Sequence, residues 1–85
     1  MKNYDIIIFE SFIPTNTSGR HGNIHIRPLP GQEPFLQTMF VECSKDLINN
    51  FPVGTKFRIQ AKITSKEEGT PFIYSYYGWS FEVLT

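Results

Sequence analysis

The second half of the chain carries basic residues at alternating positions, followed by a run rich in aromatic residues. Lys56, Arg58 and Lys62 alternate with apolar residues, a period of two that places a basic row on one face of a strand. Six of the thirteen aromatic residues then follow within one short run, Tyr74 and Tyr76 among them. Flat rings stack on bases while Lys and Arg contact phosphates, so the pattern predicts a surface for single-stranded DNA or RNA. The same pairs also occur where lysine stems merely cover tyrosine rings.

The side of the sheet on which these tyrosines lie depends on the register of the last hairpin. We expect Ile63 to lie opposite Ile73 and Phe57 opposite Trp79, because this register places the more apolar set of side chains inside. On the outer face it places Tyr74 and Tyr76 beside Lys62 and Gln60, and Arg58 opposite Gly78.

A second basic cluster lies in and just after the first predicted loop. It consists of Arg20, His21, His25 and Arg27. We expect Arg20 and Arg27 to extend the positive track of the first cluster. The two histidines have no third ligand at a suitable spacing, so we predict no metal site.

Residues suited to catalysis are not arranged in a recognisable pattern. The sequence contains no glycine-rich phosphate loop and no dinucleotide fingerprint. Asp46, Gln60 and Lys62 loosely match the acid and lysine arrangement of a common nuclease core, but a chain this short lacks the helices that flank such a core. We therefore predict a non-catalytic binding module without a cofactor. The alternative is a protein–protein interaction module, such as an adaptor, accessory subunit or inhibitor, and a small nuclease-like enzyme ranks third.

Five extended runs and one short helix must position these side chains. The helix should begin near Ser44, place Leu47, Ile48 and Phe51 on one face, and end after about two turns. The alternating runs predict strands at 4–13, 23–27, 35–43, 56–64 and 72–84.

This order of elements, with a helix between strands three and four, resembles the OB-fold. That family is a small five-stranded Greek-key barrel that binds oligonucleotides and oligosaccharides on the face of strands two and three. The resemblance implies an all-β, OB-like barrel, and an SH3-like barrel is the alternative. We expect the core to contain Ile6, Ile8, Ile24, Ile26, Phe57, Ile59, Ile63, Trp79 and Phe81.

Composition limits both the architecture and the partners. The chain has 85 residues, 40% of them hydrophobic, which predicts a single globular domain over 1–85. Eight basic and eight acidic side chains cancel, so any electrostatic attraction for a ligand must be local. Cys43 is the only cysteine, which excludes an internal disulfide and fits a reducing compartment. The apolar run 6–9 is bracketed by charges, so we expect a cytoplasmic protein that does not bind membranes; the sequence does not indicate an oligomeric state.

Overall fold

The computed structural model describes residues 4–14, 24–65, 69–76 and 78–84. In these ranges the chain forms one nearly closed, barrel-shaped sheet with a single turn of helix, so the predicted small all-β barrel is confirmed. No helix of the described residues has the length and apolar character needed to cross a membrane. The elements are β1 (Asp5–Phe12), β2 (His25–Pro28), β3 (Val41–Glu42), α1 (Asp46–Asn49), β4 (Lys56–Thr64), β5 (Phe72–Tyr74) and β6 (Glu82–Leu84).

The long strand β4 organises the sheet, whose strand order is β2-β1-β4-β5-β3. One edge of β4 pairs with β1, and β1 in turn pairs with β2, both antiparallel. The other edge pairs with β5 through residues 62–64 and with β6 through residues 56–58. β3 joins β5 in a parallel pair. Among the described residues no ladder joins β2 to β3, and the barrel is open there.

β1 turns a different face inward from the one expected. Ile7 and Phe9 are buried, whereas Ile6 is 63% exposed and Ile8 is half-buried, so the prediction that Ile6 and Ile8 lie in the core is wrong. Both faces of this strand are apolar, so alternation alone could not choose between them. Ser11 also points inward and is buried. Its hydroxyl accepts a hydrogen bond from the Gly54 amide at 3.1 Å, so this polar group has a partner.

The core lies between the inner faces of the strands and α1. Predictions for Ile26, Phe57 and Ile59 are confirmed, and the half-buried Ile63 and Phe81 pack against the same cluster. Ile24 and Trp79 were also expected in the core, but both are half-buried and lie outside the cluster. The buried members are Ile7, Phe9, Ile26, Phe35, Leu47, Phe57, Ile59, Ala61 and Ile73.

The third strand is much shorter than the predicted run 35–43. Only Val41 and Glu42 are extended, and turns occupy the residues before them. Backbone hydrogen bonds close these turns, from the Phe35 amide to the Gln32 carbonyl at 2.9 Å and from the Met39 amide to the Leu36 carbonyl at 3.1 Å. The Gln32 side-chain amide also binds the backbone N–H and C=O of Ile8 at 2.9 and 2.8 Å. This side chain takes the place of a neighbouring strand at the end of β2. It holds the following loop against β1, where Phe35 fills the core.

The last strand is interrupted rather than continuous over 72–84. Ile63 lies opposite Ile73 as predicted, but Val83 lies opposite Phe57, four positions beyond the expected Trp79. Ser75 marks the break, since its hydroxyl donates to the Gln60 carbonyl at 2.7 Å in place of a ladder bond. The described residues between Ser75 and β6, which are 76 and 78–81, belong to no strand. Consequently Arg58 lies opposite Glu82, not Gly78.

The helix is also shorter than expected. Ser44 does accept a hydrogen bond from the Asp46 amide at 3.2 Å, which agrees with the predicted start. α1 then makes one turn instead of two and ends at Asn49. Leu47 is fully buried and fixes this turn against the core, with Ile48 and Phe51 packing beside it.

Candidate functional site

Aromatic side chains form a strip across the outer face of β1, β4, β5 and β3. Alternation with the buried Ile73 places its two neighbours in β5 on the outer face, and alternation with Val41 does the same for Phe40. Phe40 is 68% exposed and Tyr76 is 40% exposed. We call this set the aromatic strip; its members are Tyr4, Phe40, Phe72, Tyr74, Tyr76 and Trp79.

One end of the aromatic strip is a cluster of three rings. Trp79 packs edge-on against Tyr4 with ring centroids 4.4 Å apart, and against Tyr76 at 5.7 Å. Trp79 lies beside Tyr76 because its amide donates a hydrogen bond to the Tyr76 carbonyl at 3.1 Å. The interruption of the last strand thus moves the indole from the expected core position to the outer surface.

Lys62 supplies a positive charge at the middle of the strip. It lies opposite Tyr74 in the β4–β5 ladder, and its ammonium nitrogen is 5.1 Å from the Tyr4 ring centroid. A lysine over a ring gains a cation–π attraction while its ammonium remains able to meet an anion. The strip therefore combines flat rings with a cation near its centre.

The other end of the strip borders a cavity of about 560 Å³. The Phe40 and Phe72 rings are 6.2 Å apart and tilted by 55°, and both line this cavity. Met39 and Pro71 add apolar surface, and the Glu42 carboxylate is part of the wall. The space suits a small planar group more than an extended chain.

A second region of the outer surface carries most of the predicted cations. Arg58 forms an ion pair with Glu82 at 2.6 Å, and Arg27 forms one with Glu10 at 2.7 Å. We call this region the charged corner; it contains Glu10, Arg27, Lys56, Arg58 and Glu82, with the Arg27 guanidinium also lying 4.0 Å from the Phe12 ring centroid.

The structure divides the sequence-predicted binding residues between these two regions. Lys62, Tyr74 and Tyr76 lie in the aromatic strip, as expected from the Ile63–Ile73 register. Arg27, Arg58 and Lys56 lie in the charged corner, and Arg20 and His21 lie outside the described residues.

Sequence reasoning missed four members of the strip: Tyr4, Phe40, Phe72 and Trp79. Phe72 had a detectable signal, since it lies on the same face as Tyr74 in the correctly predicted Ile63–Ile73 register. Tyr4 had none, because it shares the parity of Ile6, which was expected in the core. Pairing of Asp5 with Ala61 brings Tyr4 next to Lys62. The position of Trp79 had no such signal, because it depends on where the last strand leaves the sheet.

Cys43 faces away from the strip and is chemically quiet. Burial and the neighbouring Glu42 carboxylate raise the pKa of its thiol to about 11. The thiol is therefore neutral near pH 7, a poor nucleophile and a poor metal ligand. Within the described ranges no three His, Cys, Asp or Glu side chains come together in a way that could hold a metal ion.

Comparisons with known proteins give no relative. No protein-family model matches the chain, and neither a curated protein nor a solved structure matches it significantly.

Proposed function

We propose that this protein is a non-catalytic module that binds single-stranded nucleic acid across its aromatic strip. The observation that carries this proposal is the placement of Lys62 among the outward rings, between the Tyr4–Trp79–Tyr76 cluster and the Phe40–Phe72 pair. Every base has a flat face, so a row of rings binds single strands with little regard to sequence. A base stacked on such a ring contributes roughly 1–3 kcal/mol.

The electrostatic contribution to binding is small in this proposal. Two of the arginines predicted to contact phosphates are held by carboxylates of the charged corner. Lys62 is the predicted phosphate-contacting residue that lies beside the rings of the strip. We therefore infer that stacking supplies most of the affinity, with one or two phosphate contacts added. We therefore expect the affinity for an oligonucleotide to fall measurably with rising salt concentration, but with a shallow slope.

The barrel itself supports an OB-like assignment, which is part of the proposal. The strand order β2-β1-β4-β5-β3, the parallel pairing of β3 with β5, and the helix between β3 and β4 are consistent with a five-stranded Greek-key barrel. The aromatic strip covers β3, β5, β4 and the start of β1, whereas the resemblance implies binding on strands two and three. The proposed site follows the rings of this chain rather than the usual face.

A titration with fluorescently labelled octanucleotides of DNA and RNA, followed by anisotropy at 20 and 150 mM salt, tests the proposal. We expect saturable binding at low salt that weakens only modestly at the higher salt. The control variant is Ile13→Ala, which removes an exposed apolar side chain at the end of β1 remote from Tyr4. This variant should bind like the wild type. Absence of binding at 20 mM salt would reject the proposal.

A protein partner is the second candidate, and the exposure of two large apolar side chains favours it. Ile6 and Phe40 are 63% and 68% exposed, and aromatic surface with few free charges is common at the centres of protein interfaces. A failure of every oligonucleotide to bind would leave this candidate in place.

A further inference from the structure

The cavity at the Phe40–Phe72 end of the strip has a carboxylate in an otherwise mainly apolar wall. Its lining comes from two segments, residues 38–40 with Glu42 on the β3 side and residues 69–72 on the β5 side. Glu42 is exposed and lies opposite Tyr74 in the parallel ladder. Among the described residues no ion pair involves Glu42. An ionised carboxylate accepts hydrogen bonds and cannot donate them, so this wall favours a ligand rich in N–H donors.

We propose that this cavity receives one base of the bound strand, and that Glu42 selects bases by the N–H donors on their Watson–Crick edge, guanine above all. This inference rests on the proposed function and adds a base preference to it. The volume of about 560 Å³ is ample for a purine, and the exposed face of Phe40 offers a ring on which the base can stack.

The chemistry of the four bases gives an order of preference. Guanine presents two adjacent donors, N1–H and N2–H, which match the two oxygens of a carboxylate. Cytosine and adenine present one amino group beside an acceptor nitrogen, which the carboxylate repels. Thymine and uracil present one imino donor between two carbonyl oxygens. A pair of well-placed hydrogen bonds to a base edge discriminates by about fivefold or more.

The test measures the binding of labelled deoxyoctamers that differ at one position. The reference is a run of eight thymidines, and the others carry a single guanosine, inosine or adenosine in the middle. Because the strand can slide along a site without strict register, a single guanosine can reach the cavity. We expect the guanosine octamer to bind about fivefold tighter than the thymidine octamer, with inosine between them because it keeps N1–H and lacks the amino group.

Glu42→Gln provides the matched variant and Glu33→Gln the control. Glu33 is an exposed glutamate that does not line this cavity. Glu42→Gln should lose the guanosine preference, measured as the ratio of its affinities for the guanosine and thymidine octamers, and an unchanged midpoint of urea unfolding shows that the variant is folded. Glu33→Gln should retain the preference.

The outcomes separate the two proposals. Equal affinity of wild-type protein for all four octamers overturns the base preference while leaving the proposed function intact. A guanosine preference that survives Glu42→Gln also overturns the assignment of Glu42. Absence of binding to every octamer rejects the proposed function, and the base preference falls with it.

Discussion

The aromatic strip and the charged corner both lie on the outer face along β4, yet they use its basic row in opposite ways. Lys62, near the end of β4, faces Tyr74 and Tyr4. Arg58, four residues earlier on the same face, faces Glu82 and pairs with it at 2.6 Å. The strip therefore exposes rings with a cation that can reach a ligand, whereas the two arginines of the corner are paired with carboxylates of the protein. The neighbouring strand decides the role of each basic residue.

The difference arises from the interruption between β5 and β6. If the last strand continued without a break, Gly78 would lie opposite Arg58. No carboxylate would then lie directly across from the guanidinium. The interruption instead brings Glu82 to Arg58 and carries Trp79 onto Tyr4. One local feature thus pairs Arg58 with a carboxylate and builds the cluster at one end of the strip.

The substitution with the largest expected effect on stability lies on the inner face of β4. Both regions depend on this face because it holds their strand against the core. Phe57 is fully buried and its ring contacts Phe51 and Phe81 at centroid distances of 5.3 and 5.7 Å. Phe57→Ala should reduce the free energy of unfolding by roughly 3–5 kcal/mol, because the cavity left behind cannot be filled. Urea denaturation measures this loss. In so small a domain it approaches the whole stability.

Phe40→Ala is the matched control, because it removes the same ring from the 68% exposed position in the strip. It should change the free energy of unfolding by less than about 0.5 kcal/mol. Equal stability of the two variants would show that the assignment of inner and outer faces is wrong.

The next effect compares an exposed ring of the strip with an exposed aliphatic side chain outside it by their contributions to binding. Phe40→Ala should weaken the binding of an octanucleotide by about fivefold or more, the lower end of the contribution of one stacked base. Ile13→Ala, which removes exposed apolar area elsewhere, should have no effect on affinity. Anisotropy titrations at one fixed salt concentration give both values. An equal loss in the two variants would indicate nonspecific apolar contact instead of stacking.

The smallest effect compares the cations of the two regions by their salt dependence. Lys62→Gln should flatten the plot of log affinity against log salt by about 0.7, the value for one phosphate contact on a single strand. Arg58→Gln should leave the slope nearly unchanged, because Glu82 already neutralises this guanidinium. Titrations at four salt concentrations measure the slopes.

A third variant, in the charged corner, should change the salt slope in the opposite direction. Glu82→Gln should release Arg58 and steepen the salt dependence of binding. If Arg58→Gln flattens the slope as much as Lys62→Gln does, Arg58 contacts phosphate as Lys62 does and the contrast between the two regions is wrong.

Local patterns in the sequence predicted the parts of the fold where alternation is unambiguous. The run 56–64 has one basic and one apolar row, so its strand, its inner face and the Ile63–Ile73 register were all predicted correctly. The run 4–13 predicted the strand correctly but not which of its faces points inward, because Ile6 and Ile7 are equally apolar.

The remaining errors come from single side chains that replace backbone pairing. Gln32 binds β1 where the chain could have continued as a strand, and Ser75 bonds to the Gln60 carbonyl where the last strand ends. Such interactions connect residues far apart in sequence and leave no periodic signal. They also decide the position of Trp79, which therefore could not be predicted from the sequence.

The intrinsic fluorescence of Trp79 tests the central claim most directly. It is the only tryptophan of the chain and packs on Tyr4 and Tyr76 within the strip, so it reports on this surface without a label. Titration with an unlabelled octathymidine at 20 mM salt should quench its emission in a saturable way, with the same midpoint as the anisotropy titration. Binding by anisotropy with unchanged tryptophan emission would place the nucleic acid elsewhere on the molecule and contradict the account.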